Sequence, residues 1–167
     1  ERIFKDYIDE TPDLQVTTQQ LNEEAFKRAS VFNCCSGTMF HPTALETTRT
    51  AVEMAKKNGA IIAIDANIRP LRWSSEKYCR ETVASFFQDA NILKLTDEEL
   101  FFLTETNSIE EGLKALKPLN VPIVLVTVGA DGTYAVLNGD STHVPVEQVV
   151  PVDTTGAGDA FMAGVLR

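Results

Sequence analysis

The sequence predicts an α/β fold with a mostly parallel sheet, helices on both faces of that sheet, and a β-hairpin near the C-terminal part. Short apolar runs alternate with helical patterns over residues 29–128, a spacing typical of parallel strands joined by helices. The continuous Ile/Ala run at 60–65 indicates a strand covered on both faces. After Gly132, two strand-like runs flank Asn138-Gly139, a pair of residues that favours a hairpin turn.

The elements follow in order from periodicity and cap residues. Four sheet strands are predicted from apolar or β-branched runs at residues 29–36, 60–65, 91–95 and 122–128. Helices are predicted from apolar spacing behind polar caps at residues 42–58, 75–88, 96–103 and 108–116. The hairpin strands are predicted at residues 133–137 and 142–146, around a turn at 138–140. A last helix is predicted to open in the small-residue turn at 156–158 and to continue over 160–167.

Composition excludes some function classes. The chain has 167 residues, of which 44% are hydrophobic, enough for the core of one domain. Its formal net charge of −9 argues against nucleic acid or an anionic membrane as partner. No apolar stretch is long enough to span a bilayer. Residues 1–5 begin within a strand pattern and residues 160–167 end while still helical, so we expect one α/β domain that is incomplete at both ends.

The cysteines and histidines carry no metal or disulfide pattern. Cys34, Cys35 and Cys79 give no even set for disulfides, so we expect reduced thiols, buried at the adjacent pair, and a cytoplasmic location. His41 is expected at a loop or helix start and His143 in a strand, far from each other and from any Cys-x-x-Cys.

The segment at residues 153–161, Asp-Thr-Thr-Gly-Ala-Gly-Asp-Ala-Phe, predicts an anion site. The first amides of a helix lack partners and lie at the positive end of its dipole, and Gly156, Ala157 and Gly158 leave room for a ligand there. Asp159 supplies a carboxylate that could take a proton from an attacking hydroxyl. The alternative is ordinary helix capping, in which Asp159 only suits the helix N-terminus.

The whole segment resembles the C-terminal signature of the ribokinase-like sugar kinases, the PfkB family. The resemblance implies a ribokinase-like fold, Asp159 as catalytic base, and an anion hole formed by the amides of Gly156, Ala157 and Gly158. In relatives a monovalent cation lies near the first Asp of the signature, so Asp153 and Thr155 are the candidates here for K⁺.

A second cluster, Asp65-Ala-Asn67-Ile-Arg69, directly follows the predicted strand at 60–65. Asn67 and Arg69 can donate hydrogen bonds to a polyhydroxyl or anionic ligand. The stretch resembles the Asp-x-Asn-x-Arg-x-x-Leu-Trp sequence of the fructokinase and 2-keto-3-deoxygluconate kinase branch, which implies that Asn67 and Arg69 bind the sugar. The alternative is a turn closed by Asp65 and Asn67, with Arg69 paired to a surface acid.

A third cluster, Lys94-Leu-Thr96-Asp-Glu-Glu99, resembles the family's Asn-x-x-Glu motif. The resemblance implies that Glu99 organises Mg²⁺ through its waters, as suits a hard cation that stays hydrated. Thr96 stands where many relatives have Asn, and we place it with Lys94 at the nucleotide. The alternative is that the acidic residues only complement the positive end of a helix.

A fourth cluster, Thr127-Val-Gly129-Ala-Asp-Gly132, follows the last predicted parallel strand. Its glycines would let backbone amides approach phosphate oxygens, and Thr127 offers a hydroxyl. It resembles the family's Thr-x-Gly-x-x-Gly nucleotide segment, so Thr127, Gly129 and Gly132 are predicted to bind the nucleotide. Alone, the pattern also fits a plain strand-to-hairpin turn.

The four clusters together predict an ATP-dependent sugar kinase that uses Mg²⁺, with K⁺ and a homodimer left open. Arg2-x-Phe4 resembles a fructokinase strand, and Tyr7 is followed by Ile8 where acid-sugar kinases often carry Arg, so fructose is favoured. 2-Keto-3-deoxygluconate kinase, or another PfkB sugar or nucleoside kinase, is the alternative within the family. A non-catalytic nucleotide-binding domain and a purely structural α/β domain are the alternatives from other classes.

Overall fold

A computed structural model describes residues 11–167, so the predictions made on Arg2, Phe4, Tyr7 and Ile8 lie outside the described residues. The structure has one six-stranded sheet in the order β1-β2-β3-β4-β5-β6, parallel from β1 to β4 and antiparallel from β4 to β6. The strands are β1 Val31–Cys35, β2 Ile61–Asp65, β3 Ile92–Thr96, β4 Ile123–Thr127, β5 Thr133–Leu137 and β6 Asp140–Val144. The predicted α/β class with a mostly parallel sheet and a C-terminal hairpin is confirmed.

Six α-helices accompany the sheet in the described part of the chain. They are α1 Glu23–Arg28, α2 Pro42–Lys57, α3 Glu76–Phe87, α4 Asp97–Thr104, α5 Ile109–Leu116 and α6 Ala157–Val165. Helices α3, α4 and α5 begin where the side chains of Ser75, Thr96 and Ser108 accept a hydrogen bond from the third helical amide, as expected of N-caps. Over residues 11–167, no helix combines the length and the apolar character needed to cross a membrane.

The two faces of the sheet are covered unequally. On one face a large core joins α2, α3 and α4 to alternate residues of the strands, such as Ile64 and Leu95. On the other face a small cluster joins Ala63, Ile92 and Leu125 to Met162 of α6. Among the described helices, α6 is the one that contributes to this second cluster. Its attachment therefore depends on few apolar contacts.

Two predictions about the hairpin and the cysteines need correction. Strand β6 is Asp140–Val144 rather than the predicted 142–146. The hairpin turn consists of only two residues, Asn138 and Gly139, with φ angles of 51° and 96°. Asp140 therefore already pairs with Leu137 of β5. Cys34 and Cys35 are partly exposed as whole residues rather than fully buried, while burial of the Cys34 thiol raises its pKa to about 12. Within residues 11–167, all three cysteines are free.

Helix α1 was not predicted. It is six residues long and buries only Phe26, so it shows no apolar period that a sequence pattern could reveal. Its start is nonetheless regular, since the Asn22 side chain accepts a hydrogen bond from the amide of Ala25 at 3.3 Å.

The close contact between α5 and α4 yields a test of the packing. A methyl group on Gly112 would lie 2.6 Å from Cγ of the fully buried Leu100, whereas one on Gly164 would meet no atom within 4 Å. We expect Gly112→Ala in the full-length protein to lower the free energy of unfolding by up to about 2 kcal/mol, net of its better helix propensity. Gly164→Ala is the control and should raise it by up to about 1 kcal/mol. Denaturant unfolding checks both, and equal effects would contradict the packing described here.

Candidate active site

The parallel register brings polar residues to one edge of the sheet, at the carboxyl ends of the strands. Asp65 at the end of β2 is the direct partner of Lys94 in β3, and Thr96 at the end of β3 is the partner of Thr127 in β4. This edge is where ligands bind in open α/β sheets. Three of the four clusters singled out in the sequence thus start from adjacent strand ends.

Helix α6 places its N-terminus above this edge. Gly156 caps the helix with a φ of 75°, a conformation that favours glycine, and Ala157 begins the first turn. A methyl group on Gly158 would lie 3.3 Å from Lys94 Nζ and 3.7 Å from Asp65 Oδ2, so the turn rests directly on these two side chains. The signature segment at residues 153–161 therefore reaches the same edge as the other three clusters.

The amides of the first turn are the expected anion donors. The Ala157 amide donates to the Thr154 carbonyl oxygen at 3.2 Å, which uses one of the three amides predicted for the anion hole. Gly158 and Asp159 are the second and third helical residues, whose amides have no partner within a helix. A ligand oxygen at this end of α6 would meet these amides and the positive end of the dipole.

Asp159 lines a cavity of about 440 Å³ between α6 and the β1 side of the sheet. Asp65 lies in the wall of the same cavity, and Asp159 is exposed. The β1 strand and the turn after it contribute further lining residues, which the sequence reasoning did not single out as site residues: Asn33, Cys34, Cys35 and Thr38. The cavity therefore carries two carboxylates near the first turn of α6.

Asp65 and Lys94 form a buried ion pair. Lys94 Nζ donates to Asp65 Oδ1 at 3.1 Å, and the two side chains are 6% and 5% exposed for Asp65 and Lys94 respectively. A pair this deeply buried is stable only while both charges remain together. The Lys94 ammonium, which is predicted to bind the nucleotide, is therefore already paired with the Asp65 carboxylate. For Asp65 the sequence predicted no role beyond a turn.

Glu99 joins two segments of backbone. Its Oε2 accepts from the Thr96 amide and its Oε1 from the Ile68 amide, each at 2.8 Å, while the Thr96 hydroxyl accepts from the Glu99 amide. Burial raises the pKa of the Glu99 carboxyl above its ordinary value of 4.5, although the two amides and the Lys94 charge act in the opposite direction. Glu99 thus fastens the loop after β2 to the start of α4.

The loop after β2 holds the two residues predicted to bind the sugar. Asn67 has a φ of 37°, and the Ser36 hydroxyl donates to the carbonyl oxygen of the preceding Ala66. The Arg69 guanidinium donates to the carbonyl oxygen of Ile68 at 3.2 Å. The loop is therefore anchored to the end of β1 by Ser36 and to α4 by Glu99.

The turn after β4 carries the remaining residues predicted for the nucleotide. Gly132, with a φ of 103°, passes so close to the hairpin that a methyl group would lie 2.2 Å from the Val144 carbonyl oxygen. Its amide reaches the carbonyl oxygen of Gly129 at 3.5 Å, and the Thr127 hydroxyl donates to the Leu95 carbonyl oxygen at 3.3 Å. Open space surrounds the position that a side chain on Gly129 would take.

The two residues predicted for K⁺ lie in the exposed loop before α6, where the Thr155 amide donates to Asp153 Oδ1 at 2.8 Å. Within residues 11–167, no group of three or more His, Cys, Asp or Glu side chains is arranged to hold a metal ion. The structure thus brings Asp159, Gly158 and Lys94 together, with Glu99 in the first turn of the neighbouring helix α4. The assignments of the individual site residues remain predictions.

Comparison with known proteins identifies what the chain is similar to. A family model described as pfkB family carbohydrate kinase matches residues 2–167. Fructokinase-1 of Oryza sativa subsp. japonica is 36% identical over 169 residues, which cover all of this chain and 52% of the relative. The chain spans about half the length of the curated relatives it matches.

Solved structures show the same similarity. A double mutant of fructokinase from Vibrio cholerae O395, with fructose, ADP and potassium ion bound, superposes with a TM-score of 0.80 at 34% identity, covering 87% of this chain and 48% of that one. Aminoimidazole riboside kinase from Salmonella enterica, complexed with aminoimidazole riboside and an ATP analogue, gives a TM-score of 0.87 at 27% identity, covering 96% and 53%.

The two hydrogen bonds of Glu99 lead to a prediction about pH. A carboxyl whose pKa is raised in the folded protein holds its proton more tightly there than in the unfolded chain, so its contribution to stability falls as pH rises above 4.5. We expect Glu99→Gln to lower the free energy of unfolding by about 1–3 kcal/mol, because the amide nitrogen of Gln cannot accept a hydrogen bond and leaves one of the two backbone amides without its acceptor.

The measurement is denaturant unfolding of the full-length wild type and Glu99→Gln from pH 4 to pH 7. The stability of the wild type relative to the variant should fall as pH rises through this range, because only the wild type titrates at this position. A difference that grows with pH would contradict the raised pKa and would mean that the amides and Lys94 outweigh burial.

Proposed function

Because the chain belongs to the pfkB family of carbohydrate kinases, we propose that the protein carrying it transfers the γ-phosphoryl group of ATP to a sugar hydroxyl, with fructose as the favoured sugar. The observation that carries this proposal is the placement of the α6 N-terminus, with Asp159, over the carboxyl ends of β2 and β3. A phosphoryl acceptor site needs an anion-binding backbone beside a base, and this end of the sheet offers both.

In the proposed reaction the sugar hydroxyl oxygen attacks the γ-phosphorus and its proton passes to the Asp159 carboxylate. The bond from the γ-phosphorus to the bridging oxygen breaks, and ADP leaves with the electron pair. Amides at the start of α6, among those of Gly156, Ala157 and Gly158, stabilise the charge on the transferring group. Asp159 is exposed and lies in the cavity wall, so a hydroxyl in the cavity can reach it.

Mg²⁺ is part of the proposal, and Glu99 is the residue that would hold it. Both Glu99 oxygens already accept backbone amides at 2.8 Å, so the carboxylate suits contact through the ion's waters better than direct ligation. The ion would neutralise charge on the phosphates. K⁺ near Asp153 and Thr155 is proposed as well, supported by the potassium ion in the Vibrio cholerae fructokinase structure.

The nucleotide is proposed to lie along the ends of β3 and β4, near Lys94, Thr96, Thr127, Gly129 and Gly132. The open space at Gly129 and the pairing of Thr96 with Thr127 in the register support a single binding edge there. The ADP and the ATP analogue named for the similar solved structures support the choice of nucleotide.

The sugar is proposed to meet Asn67 and Arg69 on the loop after β2. Fructose is favoured because the relatives named fructokinase reach 36% identity and a similar solved structure contains fructose. 2-Keto-3-deoxygluconate remains the alternative, and the similarity to aminoimidazole riboside kinase supports a nucleoside as a further one. A non-catalytic nucleotide-binding domain is the alternative from another class.

The domain organisation, the cellular location and the partners are proposed from the composition and the cysteines. We propose that residues 1–167 belong to one α/β domain of a cytoplasmic protein, and the three unpaired cysteines within residues 11–167 support the cytoplasmic location. A net charge of −9 supports small molecules rather than nucleic acid or membranes as partners. A homodimer is compatible with the proposal.

Asp159→Asn tests the proposed base. We expect the full-length wild type to phosphorylate fructose in preference to 2-keto-3-deoxygluconate and ribose, and the variant to lose about 10²–10⁴-fold in kcat because an amide cannot take the proton. ATP binding, measured by calorimetry, should persist in the variant. Asp140→Asn, at the start of β6, is the matched control and should keep full turnover.

Unchanged turnover in Asp159→Asn would mean that another group is the base. ATP binding without turnover on any of the three sugars would instead support the non-catalytic alternative.

A further inference from the structure

The structure assigns a positioning role to the buried Asp65–Lys94 ion pair: we propose that the pair sets the place of the first turn of α6 and thereby holds Asp159 at the carboxyl ends of the strands. The kinetic part of this inference rests on the proposed sugar kinase activity. The structural part concerns only where the turn lies.

The pair is built by the sheet itself. Asp65 and Lys94 are direct partners in the parallel register of β2 and β3, and both side chains lie on the face that α6 covers. Residues two positions earlier in the same strands, Ala63 and Ile92, pack with Met162 of α6 on that face. Helix α6 thus contacts β2 and β3 at two places: Met162 packs on apolar residues, and the backbone at Gly158 lies on the ion pair.

Helix α6 rests on the sheet at these two places. Met162 is 3% exposed and lies one turn after Gly158, whose position would put a methyl group 3.3 Å from Lys94 Nζ. Because Gly158 has no side chain, the backbone of the first turn can lie directly on the pair. A change in the pair would therefore move the first turn, while Met162 holds the rest of the helix.

The charges explain why both partners are needed. An ammonium group beneath the positive end of a helix dipole is repelled by it, and the Asp65 carboxylate compensates for that repulsion. Removing one partner leaves a single buried charge without its counter-ion. We expect the first turn of α6, which lies directly on this charge, to move away from it and so to displace Asp159, the residue that follows Gly158.

The competing reading is that Lys94, which we propose to lie near the nucleotide, also contacts the nucleotide directly. Its burial and its 3.1 Å hydrogen bond to Asp65 favour the positioning role. The two readings differ in kinetics: a lost nucleotide contact raises the KM for ATP, whereas a misplaced base lowers kcat.

The test compares Asp65→Asn, Lys94→Gln and the double variant in the full-length protein. Each single variant should lower kcat about 10²-fold, the loss expected for a displacement of about 1 Å at a reacting group, with the KM for ATP within about twofold of wild type. The double variant, which restores a neutral hydrogen-bonded pair, should recover at least about tenfold in kcat.

A second readout does not depend on activity. Hydrogen–deuterium exchange of the amides at residues 156–160 should be faster in both single variants and close to wild type in the double variant. Lys56→Gln is the matched control, because it breaks the Lys56–Asp89 ion pair, whose side chains are 50% and 25% exposed. It should change neither kcat nor this exchange.

A raised KM for ATP with kcat retained would overturn the proposal in favour of direct nucleotide contact. Folded single variants with wild-type kcat and wild-type exchange would show that the pair contributes only to stability. If the wild type phosphorylates no sugar, the proposed function fails, but the exchange measurement still decides whether the pair positions the turn.

Discussion

The parallel pairing of β2 with β3 is the constraint on which the rest of the site depends. It sets Asp65 opposite Lys94 at the last rung of the ladder, and it brings the loops after both strands to the same edge. A shift of one residue would turn the two charges to opposite faces of the sheet and leave each of them buried without the other. The apolar residues Ile64 and Leu93, which must face the large core, hold the register against such a shift.

Two helices, α6 and α4, begin at this edge of the sheet. On one face, α6 lies over the ion pair and presents its first amides and Asp159 to the cavity. At the same edge, Glu99 in the first turn of α4 accepts hydrogen bonds from the amides of Ile68 and Thr96. It thereby connects the loop that carries Asn67 to the start of α4. The segments proposed to bind the phosphoryl group, the sugar and the metal are therefore all connected to the ends of two strands, although they lie far apart in the sequence.

Much of this arrangement could be predicted, because it depends on local patterns. The run at 60–65 predicted β2, and Thr96 followed by three acidic residues predicted the capped start of α4. The Asp65–Lys94 pair was not predicted, because its partners are 29 residues apart and only the register brings them together. A usable signal was present: each of two apolar strands carries one charge, and the charges are opposite. The bounds of β6 were predicted two residues too late for a similar reason. The start of this strand depends on how many residues close the hairpin turn, and the sequence pattern did not give that number.

The most direct test of the account is a crystal structure of the full-length protein with fructose, ADP and a metal fluoride that mimics the transferring phosphoryl group. The account predicts that the fluoride lies at the first amides of α6, and that the Asp159 carboxylate lies about 2.6–3.2 Å from one fructose hydroxyl. It also predicts that the Asp65–Lys94 pair remains intact beneath Gly158. A fluoride bound away from the α6 N-terminus, or Asp159 out of reach of every sugar hydroxyl, would contradict it.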